Sequence, residues 1–225
     1  MNLNNIIFKL VFYSFNAFSS MYFMYKNKYV DIFYNFKINT VVKKEKNIKL
    51  KIFIILSSYM YYIWEIVTLP KKRKDKDYKM MQLHHLVTLS IMTYSIYHNL
   101  SHYFIYFIGL HQISDFFYNL LKLCKYYKLD RNSNPTNRNI IVFLFTCFCL
   151  SWFYYRLIIF PLWLYNHYYS DNIMYKNGAM IIFFLFPLHV IWFYFLINGL
   201  MKYKRSGILF DSRAPKEKKN SDVNN

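Results

Sequence analysis

Long apolar runs are the feature that most restricts what this chain can fold into. A helix that crosses a bilayer needs about 20 mostly apolar residues, and in lipid the backbone must satisfy its own hydrogen bonds. Six runs of roughly that size are present: Leu3 to Tyr25, Lys51 to Leu69, Met81 to Tyr97, Ser101 to Leu123, Asn139 to Tyr165 and Gly178 to Met201. The sequence therefore predicts an all-α membrane protein, built as a bundle of about six transmembrane helices.

The apolar runs occupy most of the 225 residues and leave little mass for a second domain. We expect residues 1–205 to form one six-helix transmembrane domain. Residues 206–225 are polar and charged without apolar periodicity, so they are predicted to be a disordered cytosolic tail.

The net charge of +18 has its explanation in the connectors between the apolar runs. Connectors 70–80 and 122–138 and the tail after Met201 lie on one side of a six-span protein, and they hold 18 of the 29 Lys and Arg residues. The positive-inside rule places this side, with both termini, in the cytosol. Because cations in such connectors meet anionic lipid headgroups, we expect the lipid bilayer as a partner and no nucleic acid.

Two adjacent histidines, His84 and His85, stand near the start of the third run. Ionisable groups inside transmembrane segments are rare and by default mark a functional site. Histidine is also well suited to transfer protons near neutral pH. Gln82 and Thr88 share a broad helix face with this pair. The competing interpretation is that interfacial histidines only bind lipid headgroups, but the pair predicts chemistry.

Further polar groups lie in the other runs. The fourth run contains Asp115, a carboxylate inside an apolar helix that could orient an imidazole as in hydrolytic triads. Arg156 in the fifth run is either a structural ion-paired residue or part of the site. Glu65, near the cytosolic end of the second run, is expected to reach water. The remaining groups are His111, Gln112 and Asn119 in the fourth run and His189 in the sixth.

Several classes of site lack their sequence signature. His98 and His102 have the spacing of a metal-binding pair, but no further histidine boxes accompany them. The chain also has no phosphate-binding loop, no dinucleotide-binding glycine pattern and no nucleophile elbow. We therefore expect no metal site. A transporter or proton relay is a further class, but the paired broken helices of inverted repeats are not evident.

The residues around the histidine pair resemble the lag motif of the ceramide synthases, which are TLC-domain acyltransferases of the endoplasmic reticulum. The motif is carried by Lys76, Asp77, Tyr78, Met81, His84, His85 and Thr88. The resemblance continues through Ser95, Asn99, His111, Asp115, Lys122, Tyr126, the segment from Arg156 to Trp163, and His189 with Trp192. It covers roughly residues 6 to 205 and is specific because the residues occur in order over several helices.

The chain departs from the family pattern at three positions. The family's arginine-x-glycine falls on His102 and Phe104, and the first aspartate of its histidine-aspartate cluster falls on Gln112. Glutamine can form hydrogen bonds but cannot carry a charge that pairs with an imidazolium. Asp115 is then the remaining carboxylate of that cluster, and Gln112→Asp is expected to raise activity if the missing charge matters.

The resemblance implies that this chain is a sphingoid base N-acyltransferase. Such an enzyme transfers a fatty acyl group from acyl-CoA to sphinganine or sphingosine and gives (dihydro)ceramide. One histidine of the pair would act as base and the other as nucleophile, with the assignment left open. Asp115 completes the implied catalytic set, and the implied substrate-binding or supporting residues are Asp77, Thr88, Asn99, His111, Gln112 and Arg156.

The resemblance also implies an endoplasmic reticulum membrane location and no cofactor beyond acyl-CoA as co-substrate. The basic stretch 71–76 would attract the CoA phosphates, and connector 166–177 would help to set acyl-chain length. The resemblance leaves open whether the protein forms a homodimer. The alternative is a non-enzymatic TLC-domain protein that senses or regulates membrane lipid composition, although such relatives usually lack the double histidine.

Overall fold

The computed structural model describes residues 3–27, 47–72, 77–129, 134–169 and 173–207, and in these ranges the chain is helical with short turns. The elements are α1 Leu3–Lys26, α2 Ile48–Lys72, α3 Asp77–Tyr97, α4 Ser101–Tyr126, α5 Pro135–Trp152, a π-helical segment Phe153–Ile159, α6 Phe160–Tyr168, α7 Ile173–Phe183 and α8 Phe186–Ser206. The predicted all-α architecture of about six helices is confirmed, because α5, the π-helical segment and α6 follow one another without a break and α7 leads into α8.

Within the described ranges, four helical stretches are long and apolar enough to cross a membrane. They are Leu3–Lys26, Ile48–Thr68, Pro135–Tyr168 and Ile173–Ser206. Helices α3 and α4 have 21 and 26 residues, which is also sufficient length, but their sequences are less apolar. In α4 this composition follows from position, since its described side chains before Tyr126 are all buried or half-buried among other helices.

The last two predicted spans have different limits in the structure. The fifth begins at Pro135, where the side chain of Asn134 accepts a hydrogen bond of 3.0 Å from the backbone N–H of Thr136. Asparagine before a helix and proline in its first turn are a favoured start signal. The sixth begins at Ile173 rather than Gly178 and is interrupted at residues 184–185 before α8. Residues 166–168 and 173–177 of the predicted connector are therefore helical, and residues 170–172 lie outside the described ranges.

Helix α4 is the central element of the bundle. It contacts α1, α2, α3, α5 and the π-helical segment, while α3 also contacts α2 and α7, and α8 contacts α5. A first buried apolar cluster joins α1, α2, α3 and α4 to α6, α7 and the start of α8. A second cluster joins the later part of α4 to α5 and the end of α8.

Close approach of α1 and α4 depends on Gly109. A Cβ atom at this position would lie 3.0 Å from Ser20 Cβ and 3.7 Å from the backbone oxygen of Ala17. Both contacts are to atoms fixed on helix α1, so a larger side chain would push the two helices apart. Gly109 therefore sets the distance between the first and fourth helices.

Gly109→Ala is expected to destabilise the protein, with Gly199→Ala as its matched control. Alanine raises helix propensity by about 1 kcal/mol in both helices, but overpacking costs about 1–3 kcal/mol. At Gly199 the nearest atom is the ring tip of Phe145 at 3.4 Å, which can give way. Thermal unfolding in detergent should show a lower midpoint for Gly109→Ala only. Equal shifts in the two variants would contradict this account of the helix contact.

Two predictions lie partly outside the described residues. Helix α8 continues to Ser206 and Gly207 follows with a left-handed φ of 68°. The rest of the predicted tail, from residue 208, is outside the described ranges. The same holds for residues 73–76 of the basic stretch and for the side chain of Asp77.

Candidate active site

The histidine pair lies near the N-terminal end of α3, on the part of the helix that faces α2 and α8. The ring centroids of His84 and His85 are 5.5 Å apart. His85 is buried at 6% exposure, and His84 is half-buried. Thr88 is buried one turn later, where its hydroxyl donates to the backbone carbonyl of His84 at 2.8 Å. This bond supports the helix backbone at the pair and leaves both imidazoles available.

The ring of His84 faces α8. It lies edge-on to Trp192 with a centroid distance of 5.1 Å, and its distance to the ring of His189 is 6.4 Å. His189 is fully buried and lies 5.0 Å from the ring of His111 on α4. The indole N–H of Trp152 donates to the backbone carbonyl of His189 at 3.2 Å. The structure therefore joins three helices through a series of imidazole rings.

The ring of His85 faces α2. Its Nε2 atom is 3.8 Å from Glu65 Oε2, and its centroid is 5.4 Å from that of Tyr62. The other carboxylate oxygen of Glu65 forms an ion pair of 2.8 Å with Lys9 Nζ on α1. Glu65 is buried at 5% exposure, so the expectation that it reaches water is wrong. Its burial is tolerated because Lys9 supplies the opposite charge within the bundle.

Several imidazole nitrogens in this region are buried without a hydrogen-bond partner among the described residues. They are Nδ1 of His84, both ring nitrogens of His85, Nε2 of His111 and both ring nitrogens of His189. Buried polar atoms are normally hydrogen-bonded, so a group of exceptions in one place calls for a reason. Histidine nitrogens in this state can accept or donate protons to a bound molecule.

Asp115 binds Arg156 rather than a histidine ring. Arg156 Nη2 lies 3.0 Å from Asp115 Oδ1 and also donates to the backbone carbonyl of His111 at 3.0 Å. Its Nε donates to the hydroxyl of Ser114 at 3.1 Å, and its guanidinium stacks on Trp152 at 3.8 Å. Four groups thus fix a side chain that is 3% exposed. The predicted support of a histidine by Asp115 stays a prediction.

The backbone around Arg156 is π-helical, from Phe153 to Ile159. Pro161 follows two residues after the end of this segment, and it lacks the N–H that would bond to the carbonyl four residues earlier. Wider π turns are found mostly within α-helices at functional sites, where an extra residue changes the direction of the side chains. Here the π turns face the His111 to Asp115 part of α4, where Arg156 forms its contacts.

Gln112 lies on the face of α4 that packs against α1. It is one turn after Gly109, the residue at the α1 contact. Gln112 is 1% exposed, and neither atom of its amide group has a hydrogen-bond partner among the described residues. The amide of Gln112 is therefore a polar group closed to solvent. None of the ion pairs among the described residues involves a neighbour of this amide on α4 other than Asp115.

This environment changes the expectation for Gln112→Asp. A carboxylate buried without a partner costs several kcal/mol, so we expect less folded protein than with Gln112→Asn, a neutral control. The yield of monodisperse protein in detergent and the rate per folded molecule separate the two effects. A Gln112→Asp protein that is as stable as wild type and faster would show that a cation reaches position 112.

Asn99 lies in the turn between α3 and α4, at the opposite end of α3 from the pair. Fifteen residues separate it from His84, which is about 22 Å along a helix. Its φ of 57° is left-handed, a conformation that asparagine tolerates better than most residues. The backbone N–H of Leu100 bonds to the carbonyl of Ser95 at 2.7 Å. The structure thus places Asn99 where it can end α3, and a role at the site stays a prediction.

An apolar cleft lies between α3, α4, α6 and α7, beside this turn. Its lining includes Ile91, Phe104, Trp163 and Ala179. Ile91 is two turns after His84 on the same helix, so the cleft lies deeper in the bundle than the imidazoles. Its lining is largely apolar, and its free volume in this conformation is about 20 Å³.

Sequence reasoning assigned too little weight to three groups that the fold brings to the pair. Lys9 and Glu65 were visible as charged residues within apolar runs, and opposite charges at comparable depth are the signal for a pair. Trp192 was visible only as part of the resemblance. The contact of Ser114 with Arg156 had no signal in the sequence.

Comparisons with known proteins agree with this architecture. The profile of the TLC domain matches residues 2–198. Human ceramide synthase 4 is 28% identical over 156 residues, which cover 65% of this chain and 37% of the relative. ASC1-like protein 3 of Oryza sativa subsp. japonica is 32% identical over 106 residues, with coverages of 47% and 34%. Ceramide synthase LOH2 of Arabidopsis thaliana is 22% identical over 171 residues, with coverages of 71% and 55%.

The aligned parts span about a third to a half of the length of these relatives. The profile match, by contrast, includes every helix from α1 to most of α8 and both histidines of the pair. The chain therefore belongs to the TLC-domain family, in which it is similar to the ceramide synthases.

Proposed function

We propose that this protein is a sphingoid base N-acyltransferase that forms (dihydro)ceramide from a fatty acyl-CoA and sphinganine or sphingosine. The observation that carries the proposal is the histidine pair, buried in the bundle with ring nitrogens that have no hydrogen-bond partner among the described residues. The resemblance to ceramide synthases names the substrates, and the chemistry of imidazole suits the reaction between them.

The reaction breaks the C–S bond of the thioester and forms an amide C–N bond. A sphingoid amine is protonated near neutral pH and must lose a proton before it can attack, so one imidazole of the pair acts as base. The other takes the acyl group onto a ring nitrogen and passes it to the amine. Of the two protons that the ammonium group loses, one ends on the CoA thiol and the other is released to solvent. Because the thioester is already activated, no cofactor beyond the co-substrate acyl-CoA is needed.

The other groups near the histidine pair suit a bound acyl-CoA whose acyl chain and CoA part lie in different places. We place the acyl chain along the apolar cleft lined by Ile91, Phe104 and Trp163, which must widen to admit it. The CoA part stays at the N-terminal end of α3, close in sequence to the basic stretch 71–76. Arg156 and Asp115 hold α4 against the π-helical segment and so keep His111 near His189. Thr88 supports the backbone of His84.

The proposal includes a location. A ceramide synthase of this kind lies in the endoplasmic reticulum membrane, and the charge distribution of the connectors favours cytosolic termini. The N-terminal end of α3 then faces the cytosol, where acyl-CoA is available. Glycosylation-site tagging of the two termini in microsomes tests this orientation, and a glycosylated terminus would contradict it.

The test of activity uses the purified full chain with sphinganine and a panel of acyl-CoAs, with products measured by mass. Formation of dihydroceramide together with one equivalent of free CoA is the expected result. CoA release without ceramide would indicate a thioesterase instead. A folded protein that gives neither product with any acyl-CoA would favour the non-enzymatic function in sensing or regulating membrane lipid composition.

A further inference from the structure

Glu65 is a buried carboxylate that the proposed reaction does not yet use. It lies on α2, within a stretch apolar enough to span a membrane, at 5% exposure. A charged group in such a position is expensive and by default marks a functional site. Its two oxygens have different neighbours: Oε1 is 2.8 Å from Lys9 Nζ on α1, and Oε2 is 3.8 Å from His85 Nε2 on α3.

The geometry favours a function over a purely structural ion pair. Lys9 compensates the charge of Glu65 through one oxygen only, which leaves the second oxygen directed at His85. Replacing a buried ion pair by apolar residues is often neutral for stability, so structure alone gives little reason to keep it. His84, by contrast, has no carboxylate within ion-pair distance among the described residues. The two histidines of the pair therefore have different electrostatic environments.

We infer that Glu65 is a positioning residue for His85, held in place by Lys9. The inference rests on the proposed acyltransferase function. Glu65 keeps a proton on the Nε2 atom of His85, so that Nδ1 presents its lone pair to the substrate amine. The distance of 3.8 Å is too long for a hydrogen bond. It closes by about 1 Å once His85 gains its second proton, since charge-assisted N–H···O bonds are about 2.7–2.9 Å long.

This arrangement gives the base role to His85 and balances the proton. The ammonium group of the sphingoid base transfers a proton to His85 Nδ1, and the free amine forms the C–N bond with the acyl carbonyl carbon. Glu65 stabilises the resulting imidazolium, as a buried carboxylate does beside a catalytic imidazole. The C–S bond of the thioester breaks when His84 takes the acyl group, and the bond from the acyl carbon to His84 breaks when the amine attacks. The ammonium group loses two protons in all: one ends on the sulfur of the CoA thiol and the other passes to solvent. No other reactant is required.

The test compares Glu65→Gln and the double variant Lys9→Met with Glu65→Gln in the full-length protein. The double variant removes both charges at once, so no buried charge is left unpaired and folding should be retained. We expect kcat to fall by about 10²-fold in both variants, because a carboxylate beside a catalytic imidazole is worth up to about 10⁴. The KM for acyl-CoA should change by less than about twofold, since Glu65 does not touch that substrate and binding is separable from kcat.

Ser58→Ala is the matched control. Ser58 is fully buried on the same helix and contacts Asn16 of α1 at 3.5 Å, but it lies two turns before Glu65. This variant weakens a polar contact between α1 and α2 without altering the pair, so its kcat should equal that of wild type. A loss of kcat as large as in the Glu65 variants would overturn the inference in favour of a general effect of helix packing.

A folded Glu65 variant with the kcat of wild type would also overturn the inference, whichever of the two variants is folded. It would reduce the Lys9–Glu65 pair to a structural contact and leave the acyltransferase proposal intact. Failure of the acyltransferase proposal is recognised separately, because the wild-type protein would then form no ceramide before any variant is made.

Discussion

His84→Ala and His85→Ala are each expected to abolish ceramide formation while the protein remains inserted and folded. The backbone carbonyl that Thr88 binds is kept in His84→Ala, so α3 retains that contact. Loss of a general base or of a nucleophile typically costs about 10²–10⁴ in rate, and both functions are needed in each turnover. The measurement is ceramide formed from sphinganine and acyl-CoA, normalised to monodisperse protein in detergent.

His98→Ala is the matched control for the histidine variants. His98 lies at the other end of α3, in the turn before α4, where its ring contacts Tyr94 and Tyr97. This variant removes an imidazole from the same helix but not from the proposed site, so it should keep the activity of wild type. Activity retained in both variants of the pair would exclude the histidine mechanism.

Arg156→Met is expected to give the largest loss of stability of any single change at the site. Methionine removes the hydrogen bonds to Asp115, Ser114 and the carbonyl of His111, and it leaves the Asp115 carboxylate without its cation. Breaking a buried ion pair in this way costs about 3–5 kcal/mol. The Asp115 side chain is 27% exposed, which places the expected loss near the lower value. A much lower thermal midpoint in detergent is the measurable result.

The double variant of Arg156→Met with Asp115→Asn tests the physical reason. It leaves no charge unpaired, so most of the stability lost in Arg156→Met should return. Arg156→Lys should recover less, because lysine cannot form the fixed fork that reaches three acceptors at once. An Arg156→Met protein that unfolds at the temperature of wild type would show that the ion pair contributes nothing to stability.

Much of the fold could be predicted from the sequence because apolar length is a local property. Each of the six predicted runs corresponds to helix in the structure, and the limits of the first four agree closely. The predicted helix limits were wrong where a helix end depends on more than the apolar content of the sequence. Ile173 to Asn177 are helical, although two of these five residues are Lys and Asn, because α7 packs on α6 and α3. The break between α7 and α8 at residues 184–185 was not predicted either, because both residues are apolar and continue the run.

The site was only partly predictable for a related reason. Helical periodicity shows which residues of one helix share a face, and so it groups His84 with Thr88 and His111 with Asp115. It does not show which residue of another helix lies opposite, because that depends on the rotation and depth of both helices. Asp115 was expected beside an imidazole, and the structure places Arg156 there at 3.0 Å.

The sequence alone determined that this protein is an all-α bundle of membrane-spanning length with a histidine pair near the start of its third helix. These properties depend on residues within single helices. Only the tertiary structure decided which charges meet, and it placed Glu65 and Lys9 beside His85 and His189 beside His111. Contacts of this kind join residues 20 or more positions apart in the chain, between helices whose relative rotation is set by packing throughout the bundle. The double histidine is a local feature, and the carboxylate nearest to it is a product of the fold.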